Sequence, residues 1–501
     1  MEVHNLDVAL TLIGLLAGTA LLIHAVDVVL GGRMQTINFA RNITNISIFT
    51  ALIIAVLSLL NIISSENSVP NLIRNDGLGF FFSIVVLLVS LFVSISSFDY
   101  IRKERNELVY YSLLLFTTLG MVALSFAVDL LVIFIAWELM SLPTFILVGF
   151  RKNDKNALQY NDSVLSNEGA VKYFILGALS SAILLYGISL IFGLTGSTNL
   201  DSAMNSIINL DPNNVPLAIL GVVSLIAGFG LKLSIVPFHM WIPDAYEGAP
   251  ITVGALLSSA TKKVGFVAAI RSLIIIFPIV EINLSMILAI IALFTMTLGN
   301  IAALTQKTIT RLLAYSSIAQ AGYLLIGLVV LPTSSLGLVG LLYHSFNHAV
   351  MQASAFLAAA AVSYKLSKTS LNSYDGLAKI MPITAFCLAI SLLALAGIPP
   401  LNGFWSKVVL FAAAVEGGYT WLALAGLVNT VISVGYYGLI VKRMYMDDPS
   451  EKKPLVEPKS IISVLIFATI IIIITGLVPN VLLDYITVVS DNFLSNYPAL
   501  Q

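Results

Sequence analysis

LIAGFGLKLSIVPFHMWIPDAYEGAP, residues 225–250, is an apolar run with the length of most of a membrane helix, and it carries Lys232 near its end. Pro237 then interrupts the run, because proline removes a backbone donor and clashes with the preceding helical turn. In lipid, the carbonyls freed by such a break need protein or water as partners. A lysine beside a broken helix therefore predicts a wet pocket at membrane depth. His239, inside the break, could relay protons near neutral pH or could pack against a freed carbonyl.

The composition of the whole chain is typical of a membrane protein. Its 501 residues are 58% hydrophobic and 10% charged, with a mean hydropathy of +0.97 and a formal net charge of −1, whereas soluble domains carry about a quarter charged residues. Fourteen apolar segments have about the length that a bilayer requires. They cover residues 8–30, 45–63, 78–97, 109–127, 130–149, 170–194, 216–236, 251–270, 283–304, 311–330, 336–362, 381–417, 421–440 and 460–478.

The sequence shows no motif for a bound redox cofactor. The single cysteine, Cys387, excludes an intramolecular disulfide and a cysteine-ligated iron–sulfur cluster, which needs about four thiolates. The sequence contains no P-loop, no GxGxxG after a strand and no HExxH. We therefore expect this chain to bind no redox cofactor and no metal. Because a basic region is missing at the N-terminus, we expect the first apolar segment to be retained rather than cleaved.

The basic residues test the segment count independently. One set of alternate loops holds only Arg74 and Arg271. The positive-inside rule then places the other set in the cytoplasm and both termini on the outer side. That other set holds 18 basic residues, namely Arg33, Arg41, Arg102, Lys103, Arg105, Arg151, Lys152, Lys155, Lys307, Arg311, Lys365, Lys368, Lys379, Lys442, Arg443, Lys452, Lys453 and Lys459.

Five further lysines lie within or at the edge of apolar segments, namely Lys172, Lys232, Lys262, Lys263 and Lys407. A charge at the centre of a bilayer helix costs about 2.5–3.5 kcal/mol on insertion scales. We therefore expect these side chains to face a protein interior or a wet cavity. Adjacent helical residues point about 100° apart, so we expect only one of Lys262 and Lys263 to face the interior.

An acidic residue lies at mid-depth of the fifth segment. Glu138 has about ten largely apolar residues on either side in LLVIFIAWELMSLPTFILVGF, residues 130–150. One interpretation is a protonated carboxyl or a structural ion pair. The other is a proton-exchanging carboxylate paired with a lysine, because burial favours the neutral form of a carboxyl and a neighbouring ammonium favours the charged form.

A second apolar segment is also interrupted by proline and also has a lysine near the break. Pro399 and Pro400 interrupt the twelfth segment in GIPPLNG, and Lys407 follows about one and a half turns into its second half. Interrupted segments in corresponding places of two halves point to an inverted-repeat transporter. We predict an all-α polytopic membrane protein of about 14 helices, divided into N-terminal helices 1–3, a first repeat of helices 4–8, a second repeat of helices 9–13, and helix 14 with a tail, at residues 1–108, 109–280, 281–445 and 446–501.

Two histidines share one face of the eleventh segment. His344 and His348 are four residues apart in YHSFNHAVMQASAF, and Gln352 follows one turn later. A metal site would lack a third ligand nearby. The alternatives are a hydrogen-bonded link in a polar path and simple packing between helices.

Several charged residues lie near the ends of apolar segments, where a local structural role is one interpretation. Lys172 follows Glu168 at four-residue spacing where the sixth segment begins, which is typical of an interfacial ion pair, although Lys172 is also a candidate site residue. Asp244 and Glu247 are expected to cap or orient the broken seventh segment.

Longer stretches carry a resemblance to a known family. They are WELMSLPTFILVGF, EGAVKYFILGALSSAILLYGISLIFGLTGSTNL, VPFHMWIPDAYEGAP, RLLAYSSIAQAGYLLIG and GIPPLNGFWSK. From about residue 75 to 440 the chain resembles subunit N of respiratory complex I, an antiporter-like membrane subunit of proton-pumping NADH:quinone oxidoreductase and its F420H2- or ferredoxin-linked relatives. The resemblance implies a translocase subunit that moves protons while quinone or methanophenazine is reduced elsewhere in the complex.

The resemblance also implies roles for individual residues. Glu138 and Lys232 would form the coupled pair of one half-channel, Lys262 would be the central relay because it matches K-x-x-G-F, and Lys407 would be the terminal lysine of the other half-channel. At Gln352 the chain departs from a family stretch that often has lysine there. The contribution of the eleventh segment therefore rests on His344 and His348, with His239 and Lys172 as further candidates.

Partners and rival functions also follow from the resemblance. It implies M-, L-, K-, J-, A- and H-type membrane subunits and lipids as partners, no nucleic acid, and flavin, iron–sulfur clusters and quinone on partner subunits. The expected location is an energy-transducing membrane, the prokaryotic plasma membrane. The alternatives are an Mrp-type cation/proton antiporter subunit and a scaffold that pumps nothing. KYFILGALSSAILLYG and MWIPDAYEGAP favour subunit N over Mrp, while the electron donor and acceptor stay open.

Overall fold

The computed structural model describes residues 7–30, 34–63, 65–67, 69–101, 107–151, 157–273, 277–449 and 453–497. Seven of the 18 basic residues predicted to lie in cytoplasmic loops fall outside the described residues, namely Arg33, Arg102, Lys103, Arg105, Lys152, Lys155 and Lys452. The assignment of loops to the two sides of the membrane therefore stays a prediction.

Helices make up nearly all of the described structure. The first half contains α1 (Val8–Leu30), α2 (Met34–Leu59), α3 (Gly77–Ile101), α4 (Glu107–Phe126), α5 (Leu130–Val148), α6 (Ala157–Thr195), α7 (Leu200–Ile208), α8 (Val215–Leu233), α9 (Ile242–Gly248), α10 (Ile251–Leu256) and α11 (Lys262–Leu273). The second half contains α12 (Phe277–Leu304), α13 (Ile309–Val329), α14 (Leu336–Leu366), α15 (Leu377–Ile380), α16 (Pro382–Ala396), α17 (Asn402–Glu416), α18 (Thr420–Met446), α19 (Lys459–Leu477) and α20 (Asn480–Leu494).

The all-α polytopic prediction is confirmed. Within the described ranges, 13 helices are long and apolar enough to cross a membrane. The predicted twelfth segment forms two shorter helices, α16 and α17, of which α16 is apolar. Outside the helices the described residues form only three isolated antiparallel bridges, Ile73–Ala127, Asp129–Asn199 and Thr308–Ser370, and no sheet.

The centre of the bundle is formed by helices that are covered on all sides. α10, a π-helical turn at Leu257–Thr261 and α11 form one continuous rod that is buried along its whole length. α13 and α3 are nearly as buried, and α14 packs against α13, α16, α17, α19 and α3. Peripheral helices such as α18 expose apolar side chains, including Val428 and Val431, as expected for a surface in contact with lipid or another apolar subunit.

Arg74 and Arg271 are the only basic residues in one of the two sets of alternate loops, and both lie at one end of this bundle. Arg271, at the end of α11, donates through both terminal nitrogens to the carboxylate of Asp76, at 2.9 and 2.7 Å. Arg74, two residues before Asp76, pairs with Asp201 of α7 and donates to the hydroxyl of Tyr497 at 3.2 Å. These contacts join the C-terminal segment to α3, α7 and α11.

The first helix break follows α8. Ser234 adopts a left-handed conformation (φ 68°, ψ 31°), and its N–H still bonds to the last turn of the helix. The chain then turns through Pro237 and enters α9 at Ile242. The indole N–H of Trp241 donates to the carbonyl of Leu231 at 2.9 Å, so a side chain from beyond the break satisfies one of the freed carbonyls.

The second break separates α16 from α17. Gly397 ends α16 with φ 83°, a conformation that glycine adopts without strain. A Cβ atom at Gly403, in the first turn of α17, would lie 1.8 Å from the carbonyl oxygen of Ala394. Only a hydrogen at that position lets the two half-helices approach so closely. Asn402 then donates to Asn347 of α14 at 3.0 Å and to Thr475 of α19 at 3.1 Å.

Candidate functional site

Lys232 lies in the last turn of α8 and is buried, with 2% of its surface exposed. Its ammonium donates to the hydroxyls of Ser141 at 3.1 Å and Thr144 at 3.4 Å, both on α5, and to the hydroxyl of Tyr173 on α6. Thr144 and Tyr173 also bond to each other at 3.1 Å. The carbonyl end of α8 adds the negative pole of the helix dipole, so a cation is electrostatically favoured here.

Glu138 is half-buried on α5, and its carboxylate accepts a hydrogen bond from Ser181 of α6. Within the part of the chain that the structure describes, no ion pair joins Glu138 to Lys232. Lys232 instead contacts α5 one turn further along, at Ser141. Glu138 thus lies one turn of α5 before the point that Lys232 contacts, and each of the two side chains has hydroxyls as its hydrogen-bond partners.

Aromatic rings connect the surroundings of Lys232 with those of Lys262. Tyr173 stacks on Trp241 with ring centroids 4.1 Å apart, and Trp241 meets Tyr246 edge to face at 6.1 Å. The ammonium of Lys262 lies 5.8 Å from the centroid of Tyr246 and donates to the hydroxyl of Ser317 on α13 at 2.6 Å. The three aromatic rings of Tyr173, Trp241 and Tyr246 therefore span the interval between the first two buried lysines.

Lys263 is also buried, which contradicts the expectation that only one of the adjacent lysines faces the interior. Lys262 is 2% exposed and Lys263 is fully buried. The expectation fails because α11 is surrounded by protein on every side, so two directions 100° apart both end in the interior. The ammonium of Lys263 bonds to Nδ1 of His348 and donates to the carbonyl of Ser258 at 3.1 Å.

The two histidines of α14 are buried and lie one above the other, with ring centroids 5.9 Å apart and an interplanar angle of 28°. His344 bonds through Nδ1 to Ser406 of α17 at 2.9 Å and through Nε2 to the side-chain oxygen of Gln320 on α13 at 3.0 Å. His348 has Lys263 at Nδ1 and, among the described residues, no partner at Nε2.

Lys407 is the last of a row of buried polar groups that begins at Lys232 and continues through Lys262, Lys263 and the two histidines of α14. It is 3% exposed, and its ammonium reaches across the second break to the last carbonyls of α16, those of Leu395 at 3.0 Å and Ala396 at 3.3 Å. The amide of Gln320 donates to the same Leu395 carbonyl at 3.1 Å, so the Leu395 carbonyl and Gln320 together connect Lys407 to His344. Both broken helices thus hold a lysine at the carbonyl end of a half-helix.

Other candidates lie beside or outside this row. His239 is buried within the first break, and its Nδ1 has no partner in the described part of the chain. Gln352 donates to the carbonyl of Leu313 at 3.0 Å. Lys172 is exposed and pairs with Glu168 and with Asp244, both at 2.6 Å, so the structure does not bring it into the buried row.

Asp244 and Glu247 belong to the same surface network as Lys172. Arg311 of α13 pairs with Asp244 at 2.9 Å and with Glu247 at 3.0 Å. Partial burial raises the pKa of Asp244, but hydrogen bonds and charge from Lys172 and Arg311 outweigh burial and hold that pKa below its usual value. These carboxylates fix α9, the helix after the break, to α6 and α13.

Sequence reasoning missed several groups that contact the buried lysines and histidines. The missed hydroxyls of Ser141 and Thr144 follow Glu138 at helical spacing, a signal that was available in the sequence. No comparable signal marks the others, which are Tyr173, Ser181, Ser317, Gln320 and Ser406. Among the described residues, no three or more histidine, cysteine, aspartate or glutamate side chains form a cluster that could hold a metal ion.

A helical membrane bundle in which buried lysines stand at two broken helices, joined by hydroxyls, rings and imidazoles, defines the class of antiporter-like membrane subunits. Residues 127–433 match the family described as NADH:quinone oxidoreductase/Mrp antiporter, transmembrane. The chain belongs to this family.

The relatives include subunits of redox complexes. The chain is 40% identical over 415 residues to F(420)H(2) dehydrogenase subunit N of Methanosarcina mazei, covering 81% of this chain and 82% of that protein. It is 36% identical over 454 residues to NADH-quinone oxidoreductase subunit N of Heliobacterium modesticaldum, covering 90% and 93%. A chain of respiratory complex I from Thermus thermophilus superposes with a TM-score of 0.78 at 28% identity, covering 94% of this chain and 98% of that one.

Proposed function

We propose that this chain is a proton-translocating membrane-arm subunit of a complex I-type oxidoreductase. The observation that carries the proposal is the row of buried polar contacts from Lys232 through Lys262, Lys263 and the two histidines to Lys407. Glu138 lies at its first end. The names of the relatives, subunits N of F(420)H(2) and NADH-quinone oxidoreductases, support the redox partner.

Two inverted repeats, residues 109–280 and 281–445, would each contribute part of the proton path. Residues 1–108 and 446–501 flank them. Support comes from the breaks, because each repeat contains one broken segment with a buried lysine beside it. The first repeat then holds one half-channel and the second repeat holds the other.

Proton movement would follow from electrostatic coupling along the row. Quinone or methanophenazine reduction on partner subunits changes the interaction between Glu138 and Lys232, and the proton passes by way of the central lysines toward Lys407. Moving one charge against 100 mV costs about 2.3 kcal/mol, similar to the cost of uncovering a buried charge. Interacting groups titrate as a set, so the row acts as one unit.

The redox chemistry would take place elsewhere. Flavin, iron–sulfur clusters and quinone or methanophenazine belong to partner subunits, and this chain supplies proton transfer in a translocating oxidoreductase. Its neighbours are M-, L-, K-, J-, A- and H-type membrane subunits in an energy-transducing membrane, the prokaryotic plasma membrane, with both termini on the outer side.

The test uses Glu138→Gln and Lys232→Met in the assembled complex, reconstituted in vesicles with its electron donor and a quinone analogue. We expect unchanged subunit composition and a loss of redox-driven proton uptake of about tenfold or more, because each lost group adds at least about 1.4 kcal/mol to proton transfer. Lys379→Met is the matched control, since Lys379 is an exposed lysine paired with Asp448.

The outcomes separate the rival functions. Unchanged proton uptake in both variants would support a scaffold that pumps nothing. Uptake that depends on sodium would support the Mrp-type antiporter, which the family description also includes. The electron donor is identified by the subunits that co-purify with the chain.

A further inference from the structure

The adjacent lysines of α11 face different halves of the bundle. Lys262 lies near Tyr246 and bonds to Ser317, on the side that the three aromatic rings join to Lys232. Lys263 bonds to His348, on the side that leads to Lys407. The pair therefore occupies the point where the two halves of the row meet.

We propose that Lys263 delivers the proton to the second half of the row, by transfer from its ammonium to Nδ1 of His348. The inference rests on the proposed function and adds a proton-carrying residue that the motif K-x-x-G-F, which selects Lys262, does not indicate. In the transfer, an N–H bond of Lys263 breaks and an N–H bond at Nδ1 forms, leaving a neutral amine that receives the next proton from Lys262.

The surroundings of Lys263 orient it for this step. Its ammonium is anchored by the carbonyl of Ser258, which lies in the π-helical turn Leu257–Thr261. Such turns shift the backbone register and are frequent at functional sites. No carboxylate pairs with Lys263 among the described residues, so the ammonium is held by a neutral base and a carbonyl rather than by an ion pair.

His348 has the arrangement that a relay requires. Because Nδ1 accepts from the lysine, the neutral ring carries its hydrogen on Nε2. That Nε2 is buried and has no partner among the described residues, so it is available to pass its hydrogen to a water molecule. A proton can enter at one nitrogen and leave from the other. His344 lies next along α14 and is bonded to Ser406 of α17, the helix that carries Lys407.

Repulsion between the adjacent ammonium groups couples the arrival of a proton on Lys262 to its release from Lys263. Two like charges on neighbouring residues in a low-dielectric interior raise each other's energy. A proton that arrives on Lys262 therefore promotes release from Lys263 toward His348. A single lysine at this point would have no such neighbour.

The decisive comparison is Lys263→Arg with Lys263→His in the assembled, vesicle-reconstituted complex. Arginine keeps the positive charge but does not release its proton in proteins, whereas histidine carries a proton without a permanent charge. We expect redox-driven proton uptake to fall about tenfold or more in the arginine variant, and to stay higher in the histidine variant than in the arginine variant. A structural role for the charge predicts the reverse order.

His348→Gln provides an independent test that leaves both lysines intact. The glutamine amide can accept the hydrogen bond from Lys263 but cannot relay a proton, so we expect the same loss of proton uptake with normal assembly. Wild-type uptake in Lys263→Arg or in His348→Gln overturns the inference. If Glu138→Gln and Lys232→Met still abolish uptake in that case, the proposed function stands, and if they do not, both proposals fail.

Discussion

Hydroxyl groups, rather than carboxylates, are the close partners of the first two buried lysines. Ser141 and Tyr173 bind Lys232, and Ser317 binds Lys262. A neutral acceptor satisfies an ammonium donor without the strong attraction of a buried ion pair, whose removal from water is itself costly. The ammonium groups are therefore solvated by neutral protein groups, which is the environment that the proposed proton exchange requires.

Tyr173 offers a test of this solvation. Tyr173→Phe removes a hydroxyl from Lys232 and leaves the ring that stacks on Trp241. Losing one acceptor from a buried donor costs about 1–3 kcal/mol. We expect redox-driven proton uptake to slow by about tenfold while the complex assembles normally.

The matched control is Tyr374→Phe. Tyr374 is fully buried, and its hydroxyl has no hydrogen-bond partner among the described residues, so its removal should leave proton uptake unchanged. Equal rates in both variants would show that the Tyr173 hydroxyl does not solvate a proton-carrying lysine.

The sequence indicates which individual charged residues are buried, but it does not indicate which residues bind them. Glu138, Lys232 and Lys407 stand out because ionisable residues are rare in apolar segments. Ser141 and Tyr173 are 91 and 59 residues from Lys232 along the chain, and ordinary serines and tyrosines occur in many membrane helices. Only the packing of α5 and α6 against α8 selects them.

Among the helices, the two broken ones create backbone carbonyls that buried polar side chains must satisfy. A continuous helix satisfies its own backbone, whereas a half-helix leaves carbonyls that need donors. Lys407 and Gln320 supply such donors at the end of α16, and Trp241 does so at the end of α8. The breaks therefore both require polar side chains and hold them in place.

Gly403→Ala tests the close approach of α16 and α17. The new methyl group would lie 1.8 Å from the carbonyl oxygen of Ala394, so the helices must separate. Overpacking of this kind costs about 1–3 kcal/mol or more. We expect a lower thermal midpoint of the purified complex and weaker proton uptake, because the carbonyls that bind Lys407 move.

Gly14→Ala is the control for helix propensity. Nothing lies within 4 Å of a Cβ atom at Gly14 in α1. Alanine is favoured over glycine inside a helix by about 1 kcal/mol, so this variant should be as stable as the parent or slightly more stable. If Gly403→Ala were equally harmless, the tight packing at the second break would not matter for stability.

The positions of the breaks could be predicted, but the details of neighbouring elements could not. Pro237, Pro399 and Pro400 mark the interruptions directly in the sequence. The π-helical turn Leu257–Thr261 and the short helix α20 carry no comparable mark. α20 has only 15 residues, six of them polar, so a search for membrane-length apolar runs passes over it.

Across the molecule, a charged network at the surface complements the buried row. Lys172, Asp244 and Arg311 tie α6, α9 and α13 together beside the first break. Because the network spans three helices that are distant in sequence, it restrains the path of the chain after the break. Lys172 was a candidate for proton transfer, but this exposed position fits the alternative of an interfacial ion pair.

Asp244→Asn should lower stability in a pH-dependent way. The pKa of Asp244 in the folded chain is below its usual value, so its contribution is complete above that usual value and is lost as pH falls through the folded pKa. We expect the variant to be about 1 kcal/mol less stable near neutral pH, the sum of two partly exposed pairs. The difference in thermal midpoint should shrink below about pH 4.

Asp448→Asn is the corresponding control. Asp448 pairs with Lys379 on an almost fully exposed surface, so the substitution should leave the thermal midpoint unchanged throughout. A difference between Asp244→Asn and the parent that persists unchanged at pH 3 would contradict a charge-based role for Asp244.

The sequence predicts the overall architecture well because lipid imposes simple requirements. Fourteen apolar segments and two proline breaks are enough to expect a helical bundle with a polar interior, and the described helices agree. The expectation that only one of Lys262 and Lys263 faces the interior was wrong because lipid imposes no requirement there. A helix surrounded entirely by protein has no lipid side, so the rule that one of two adjacent residues must face outward does not apply.

Cys387, the single cysteine of the chain, is buried within α16. The native protein therefore presents no accessible thiol to a water-soluble maleimide. A cysteine engineered into any exposed loop would be the one reactive position on this subunit, with no need to replace Cys387 first. Impermeant and permeant maleimides applied to intact cells would then report directly which loops lie on each side of the membrane.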